Sequence, residues 1–176
     1  MDPEAIRAGR EQLVAALGEV IEVVRGVDPS QGAAAAAALS AAFPVDGPAM
    51  KALAALVRRG VEEGWLCERE AGGIRFSRVA KAAHPGTSPL SVDVVHMGGP
   101  GPGHTHPNGE IDLCFAVSGA PTFDGQAPGW VVYPPGSWHV PTVAGGVMDI
   151  LYFLPEGAIA FGPAPGGSAG GERSGG

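Results

Sequence analysis

The chain of 176 residues is poor in cysteine, in aromatic rings and, over its second half, in positive charge. Cys67 and Cys114 are its two cysteines, far apart and in no metal or redox spacing. Such thiols suit a reducing compartment as buried free side chains, not as a disulfide framework. The opening MDPEAIRAGREQ has no apolar h-region. The most apolar stretch, GAAAAAALSAAF, is largely alanine and well below the ~20 residues a membrane span needs. A soluble cytoplasmic protein with no membrane partner is expected. Residues 1–83 hold ten Lys/Arg against eleven Asp/Glu, whereas residues 84–176 hold only Arg173 against seven acids, for a formal charge of −7. A phosphate-binding surface needs clustered cations, so no nucleic acid partner is expected. A GxGxxG run opening a helix is also lacking: GGPGPG is a proline-kinked turn, and neither nicotinamide nor flavin is expected.

Two textures are present. The first 83 residues show three helix starts, Asp2-Pro3, Asp28-Pro29 and Asp46-Gly47-Pro48, each setting a capping carboxylate at or just before a proline. Helix one is expected to run to about Val24, helix two to be the alanine-rich run before Pro44, and helix three to end near Gly64. Two β-prone runs, Trp65-Leu66-Cys67 and Ile74-Arg75-Phe76, flank Gly72-Gly73 and predict a hairpin. HPGTSPLS (84–91) reads as a linker. From Val92 the runs VDVVHM, EIDLCFAV, GWVVYPP and GVMDILYFL alternate with Gly/Pro turns, the pattern of a small antiparallel barrel or sandwich. The class is α+β: a helical segment with a hairpin (1–83), a β-barrel (84–162) and a tail, 163–176, that has no apolar anchor and is expected to be disordered.

The chemistry concentrates in GGPGPGHTHPNGEIDLCF and PPGSWH. His104 and His106, two apart on a strand, point to one face. Glu110 follows the turn Pro107-Asn108-Gly109, and a strand behind that turn returns its carboxylate beside the imidazoles. His139 supplies a third ring. Three nitrogens and one carboxylate suit a divalent Fe, Mn, Zn, Ni or Co ion. Any of the four alone would be an ordinary core or surface residue. With Glu110 facing inward, period two turns Asp112 and Cys114 inward too. Asp112 is then either an acid–base group or a buried acceptor. Tyr133 and Trp138 flank His139 as walls for an aromatic substrate, Trp130 reads as core or subunit interface, and His84 and His96 as structural or surface residues.

These residues resemble the two cupin motifs, Gly-x5-His-x-His-x3,4-Glu-x6-Gly and Gly-x5-Pro-x-Gly-x2-His-x3-Asn. Gly98, His104, His106, Glu110, Pro134, Gly136 and His139 match; Gly119 is two residues late, Gly129 one residue too near Pro134, and Val143 replaces Asn. Residues 90–162, with HTHPNGEIDLCFAVSGAPTFDGQAPGWVVYPPGSWHVPTV and GGVMDILYFLPEGAIAF, resemble the 4-hydroxylaminobenzoate lyase family. That resemblance implies conversion of 4-hydroxylaminobenzoate to 3,4-dihydroxybenzoate (protocatechuate) and ammonia. It implies a site of His104, His106, Glu110 and His139, with or without a metal, and Asp112 beside it. A small aromatic carboxylate calls for a cation, and the barrel half has none before the tail, which points to Arg75, Arg78 or Lys81, or to Arg58 and Arg59. Cupins are commonly homo-oligomers. Two other functions share the pattern: a metal-dependent cupin dioxygenase of small aromatics, using the same four ligands, and a winged-helix/cupin ligand-sensing regulator, against which Glu62 and Glu63 beside Arg58 and Arg59 weigh. A binding-only storage barrel would gain little from three inward histidines and two acids.

Overall fold

The computed structural model describes residues 2–166. The expected tail lies mostly beyond them, in residues 167–176. Helices α1 (Pro3–Ala16), α2 (Gly18–Val24), α3 (Ala33–Ala42) and α4 (Pro48–Glu63) precede nine strands. The strands are β1 (Arg69–Ala71), β2 (Ile74–Ala80), β3 (Leu90–Met97), β4 (His104–His106), β5 (Glu110–Phe123), β6 (Gly129–Tyr133), β7 (Ser137–His139), β8 (Val143–Pro155) and β9 (Ala160–Phe161).

The helical half departs from the expected pattern in detail. The first helix divides at Leu17–Gly18 into α1 and α2, where a glycine weakens the helix interior. Asp2 caps α1 by accepting from the Glu4 amide. Asp28 instead caps a 3-10 turn, Pro29–Gln31, and α3 starts after it at Ala33. Gly47, not Asp46, occupies the α4 N-cap, and no side chain bonds there. Gly64 ends α4 in the left-handed conformation (φ 82°).

The hairpin turns at Gly72-Gly73 as expected, but its first strand is Arg69–Ala71. Trp65-Leu66-Cys67 is a buried turn packed under α4. Its apolar side chains are drawn into the helix–sheet core, leaving the polar residues beyond to form the edge strand.

The hairpin extends the main sheet. Strand order is β1-β2-β3-β8-β5-β6, with β7-β4-β9 forming a second, three-stranded sheet. The cupin-type half is thus two facing antiparallel sheets, not a continuously hydrogen-bonded barrel. Side-chain alternation gives the large sheet two buried faces. One carries Val92, Leu113, Leu151 and Phe153 against Leu13, Leu17 and Val57 of the helices. Each such fully buried side chain contributes roughly 1.5–3 kcal/mol. The other carries Met97, Cys114, Phe123, Val143, Ile150 and Tyr152, facing the small sheet. Val143, where the cupin motif has Asn, fills this inner core. Trp130 is also core: its ring stacks on Phe153 (6.0 Å) and its indole N–H donates to the Phe43 carbonyl. Among the described residues no helix is long and apolar enough to cross a membrane.

Candidate metal and substrate site

β4 is only His104-Thr105-His106, hydrogen-bonded on both sides, to β7 and β9. Period two sends both imidazoles inward and leaves Thr105 between them. In the β4–β7 register His104 stands opposite His139. The turn at Pro107–Gly109, closed by the Gly109 amide on the His106 carbonyl, delivers Glu110 as the first residue of β5. The two sheets therefore bring all four groups together. Glu110 lies 3.5 Å from His104 Nε2, 3.2 Å from His106 Nε2 and 3.8 Å from His139 Nε2. The His104 and His139 Nε2 atoms are 3.2 Å apart. One ligand atom from each residue lies within 4.8 Å of every other, so the four could hold a metal ion.

Their outer contacts set the proton positions. His104 Nδ1 donates to the Pro102 carbonyl (3.0 Å). His139 Nδ1 donates to Asp124 (2.6 Å). Ser137 Oγ gives its proton to the Pro134 carbonyl and accepts from His106 Nδ1 (2.9 Å). With three Nδ1–H groups so engaged, three Nε2 lone pairs converge on a carboxylate. His106 Nε2 and both Glu110 oxygens are buried with no hydrogen-bond partner. Unpaired buried acceptors are costly, and a cation among them satisfies all at once. The donor set thus fits a divalent ion of borderline softness.

The electrostatics agree. Burial works to raise the Glu110 carboxyl, but the His104 and His106 imidazoles outweigh it and hold it below the usual range. Burial works to lower His104, but the neighbouring Glu110 carboxylate raises it. Asp112 is buried on the same face, and burial together with the Glu110 charge pushes its carboxyl well above the usual range. Both its oxygens lack hydrogen-bond partners among the described residues.

Beside His104 opens a cavity of about 470 Å³ between the inner faces of β1, β2, β3 and β8 and strands β4 and β9. Ile74, Phe76, Val95, Leu154 and Phe161 supply much of its apolar wall. Of the residues expected to meet substrate, Arg78 lines it. Arg75 does not: its guanidinium donates to the Cys67 and Val61 carbonyls. Trp138 is also outside the lining, its indole N–H on the Gly162 carbonyl. Tyr133 is outside the lining too: it packs against the His139 ring (centroids 4.4 Å) and donates to Asp124. Arg58 is tied to the buried Asp149, with His96 on the same carboxylate.

Two site residues had no sequence signal of their own. Asp124 sits in an Asp-Gly pair that reads as a turn, fifteen positions before His139. It accepts from His139, Tyr133 and the Thr142 amide; burial opposes these bonds, yet they hold its carboxyl below the usual range. Arg69 stands in the charged run ERE, which reads as surface, yet it lines the cavity.

Facing antiparallel sheets with a His₃–Glu cluster between them define a cupin-type protein. The family model described as PnbB, 4-hydroxylaminobenzoate lyase, matches residues 16–161. The chain belongs to that family of lyases. Among relatives, the 4-hydroxylaminobenzoate lyase of Nocardioides sp. (strain LMS-CY) is 31% identical over 64% of this chain and 72% of its own. That of Pseudomonas putida is 28% identical over 66% and 76%. Among solved structures, an oxalate oxidase in complex with the substrate analogue glycolate aligns with a TM-score of 0.39 at 21% identity, over 52% of this chain and 56% of that one.

Proposed function

We propose that this chain converts 4-hydroxylaminobenzoate and water to 3,4-dihydroxybenzoate and ammonia, a step in nitroaromatic breakdown. The observation that carries this reading is a largely apolar cavity, roomy enough for an aromatic ring, that meets the His₃–Glu cluster at His104. In the reaction the hydroxylamino N–O bond breaks. Nitrogen is reduced and leaves as ammonia, the ring is oxidised by the same two electrons, and one water balances the atoms. The chemistry is redox-neutral overall and requires neither flavin nor nicotinamide. His104, His106, His139 and Glu110 would hold a divalent ion, which would supply Lewis-acid polarisation. The protein's own groups do the rest. The apolar walls exclude bulk water and place the ring with its hydroxylamino end toward His104. Asp112, inward-facing beside Glu110, is the acid–base group that exchanges a proton with the departing oxygen or the incoming water.

The test is to incubate purified protein with 4-hydroxylaminobenzoate and follow ammonia and 3,4-dihydroxybenzoate, with and without chelator, in air and under anaerobic conditions. Equimolar products, undiminished without oxygen and lost on chelation, are expected. A requirement for oxygen would replace the lyase reading with a dioxygenase.

A further inference from the structure

The β1–β2 hairpin supplies both arginines of the cavity, and they are not equivalent. Arg78 is held by a two-point pair with Asp93, Nε to Oδ1 at 2.8 Å and Nη2 to Oδ2 at 3.1 Å. Its charge is matched and its fork is filled. Arg69 is free of such a partner. Its side chain makes no hydrogen bond among the described residues, and its closest acid, Glu68, at 3.8 Å, is already engaged by Arg10 at 2.7 Å. The Arg69 guanidinium lies over the Phe76 ring, 4.8 Å from its centroid, on the cavity wall. Register places Arg69 opposite Phe76, and Arg78 follows two residues later on the same face.

A second pattern fixes direction. Paired positions run Arg78–Asp93–Tyr152–Asp112 across β2, β3, β8 and β5. Neighbouring strands are about 4.8 Å apart, so Arg78 on β2 and the buried acid beside the ligands are separated by roughly 14 Å across the sheet, and Arg69 on β1 stands one strand further out. Of the two arginines, Arg78 has its charge met at two points by Asp93, whereas Arg69 has only the long contact to Glu68, which Arg10 holds more closely.

We propose that Arg69 is the specificity-determining residue for the substrate carboxylate: it reads an anionic group placed para to the reacting substituent, while the Asp93–Arg78 pair braces the wall beneath. A guanidinium already stacked on an aromatic face presents its N–H edge to a carboxylate at low ordering cost. The choice of ligand rests on the lyase reading; the subsite itself is defined by the hairpin geometry.

Binding separates the two. 4-Aminobenzoate and its uncharged analogue 4-aminobenzamide, neither of which has an N–O bond to cleave, are titrated calorimetrically into metal-loaded wild type, Arg69→Gln and Arg69→Lys. We expect 4-aminobenzoate to bind wild type at least about tenfold more tightly than the amide, in line with a charge-assisted hydrogen bond. Arg69→Gln should erase that preference and Arg69→Lys restore part of it. Equal binding of acid and amide, an unchanged preference in Arg69→Gln, or no binding of the acid to wild type overturns the assignment. An Arg69-dependent preference in a protein that releases no ammonia from 4-hydroxylaminobenzoate retains the subsite and removes the lyase reading.

Discussion

Each imidazole of the cluster is oriented through its outer nitrogen by a different kind of acceptor: a proline carbonyl, a serine hydroxyl and a carboxylate. The carboxylate, Asp124, is the one with charge, and it also gathers Tyr133 and the Thr142 amide. Replacing Asp124 with Ala should weaken metal binding about 10–100-fold, read by competition with a chromophoric chelator. Unchanged affinity would show that Tyr133 packing alone orients His139. His104→Ala and His139→Ala should abolish ammonia release while far-UV circular dichroism stays native, since neither ring belongs to the hydrophobic clusters. Cys67 is buried, and burial followed by the Asp149 charge pushes its thiol up to about 12. The reactive thiolate is therefore absent at pH 8, and Cys114 is buried as well. Native protein should resist a disulfide-exchange reagent that labels both thiols after unfolding; rapid native labelling would contradict this burial. At this scale the ligands were legible, because His-x-His spacing and the Pro-x-Gly-x-x-His run place them by local geometry. Asp124 and Arg69 were not: Asp124 is placed by the turn that follows β5, and Arg69 by its register opposite Phe76.

Among the elements, β4 and β7 are three residues each, yet they carry the three histidines of the cluster. Such short strands are held by their neighbours and not by intrinsic preference. The long strands were evident from their apolar alternation, and the inward set Glu110, Asp112 and Cys114 follows from the same period. The hairpin's first strand was misplaced because Trp65-Leu66-Cys67 has β-prone residues but serves as a buried plug. That plug fits against α4 at Gly60, where an added Cβ would come within 2.7 Å of both Leu66 Cδ1 and Trp65 Cη2. Gly60→Ala should therefore destabilise the fold by about 1–3 kcal/mol in urea titration. A neutral result would mean that the Trp65 turn gives way easily.

For the whole molecule, the helices cover one face of the large sheet and the small sheet covers the other, so ligand-bearing strands and helical core share a single scaffold. Loading the four ligands should raise the melting temperature by mass action, about 2.7 kcal/mol at a hundredfold excess over the dissociation constant. A chelator should reverse it. An identical melting curve with and without metal would argue against a resident ion. The α+β class and the order of its parts could be seen in the change of texture near residue 90. That the hairpin belongs to the same sheet could not, because pairing of β2 with β3 depends on a chain reversal through residues 81–89, which read only as a connector.

That pairing divides labour along the chain. The four groups that could hold an ion all come from residue 104 onward, whereas the arginines and the aspartate that line the cavity come from 69 to 93. Under the proposed reading, preference among aromatic acids would drift by changes in one short edge ribbon, with the four inward groups left untouched.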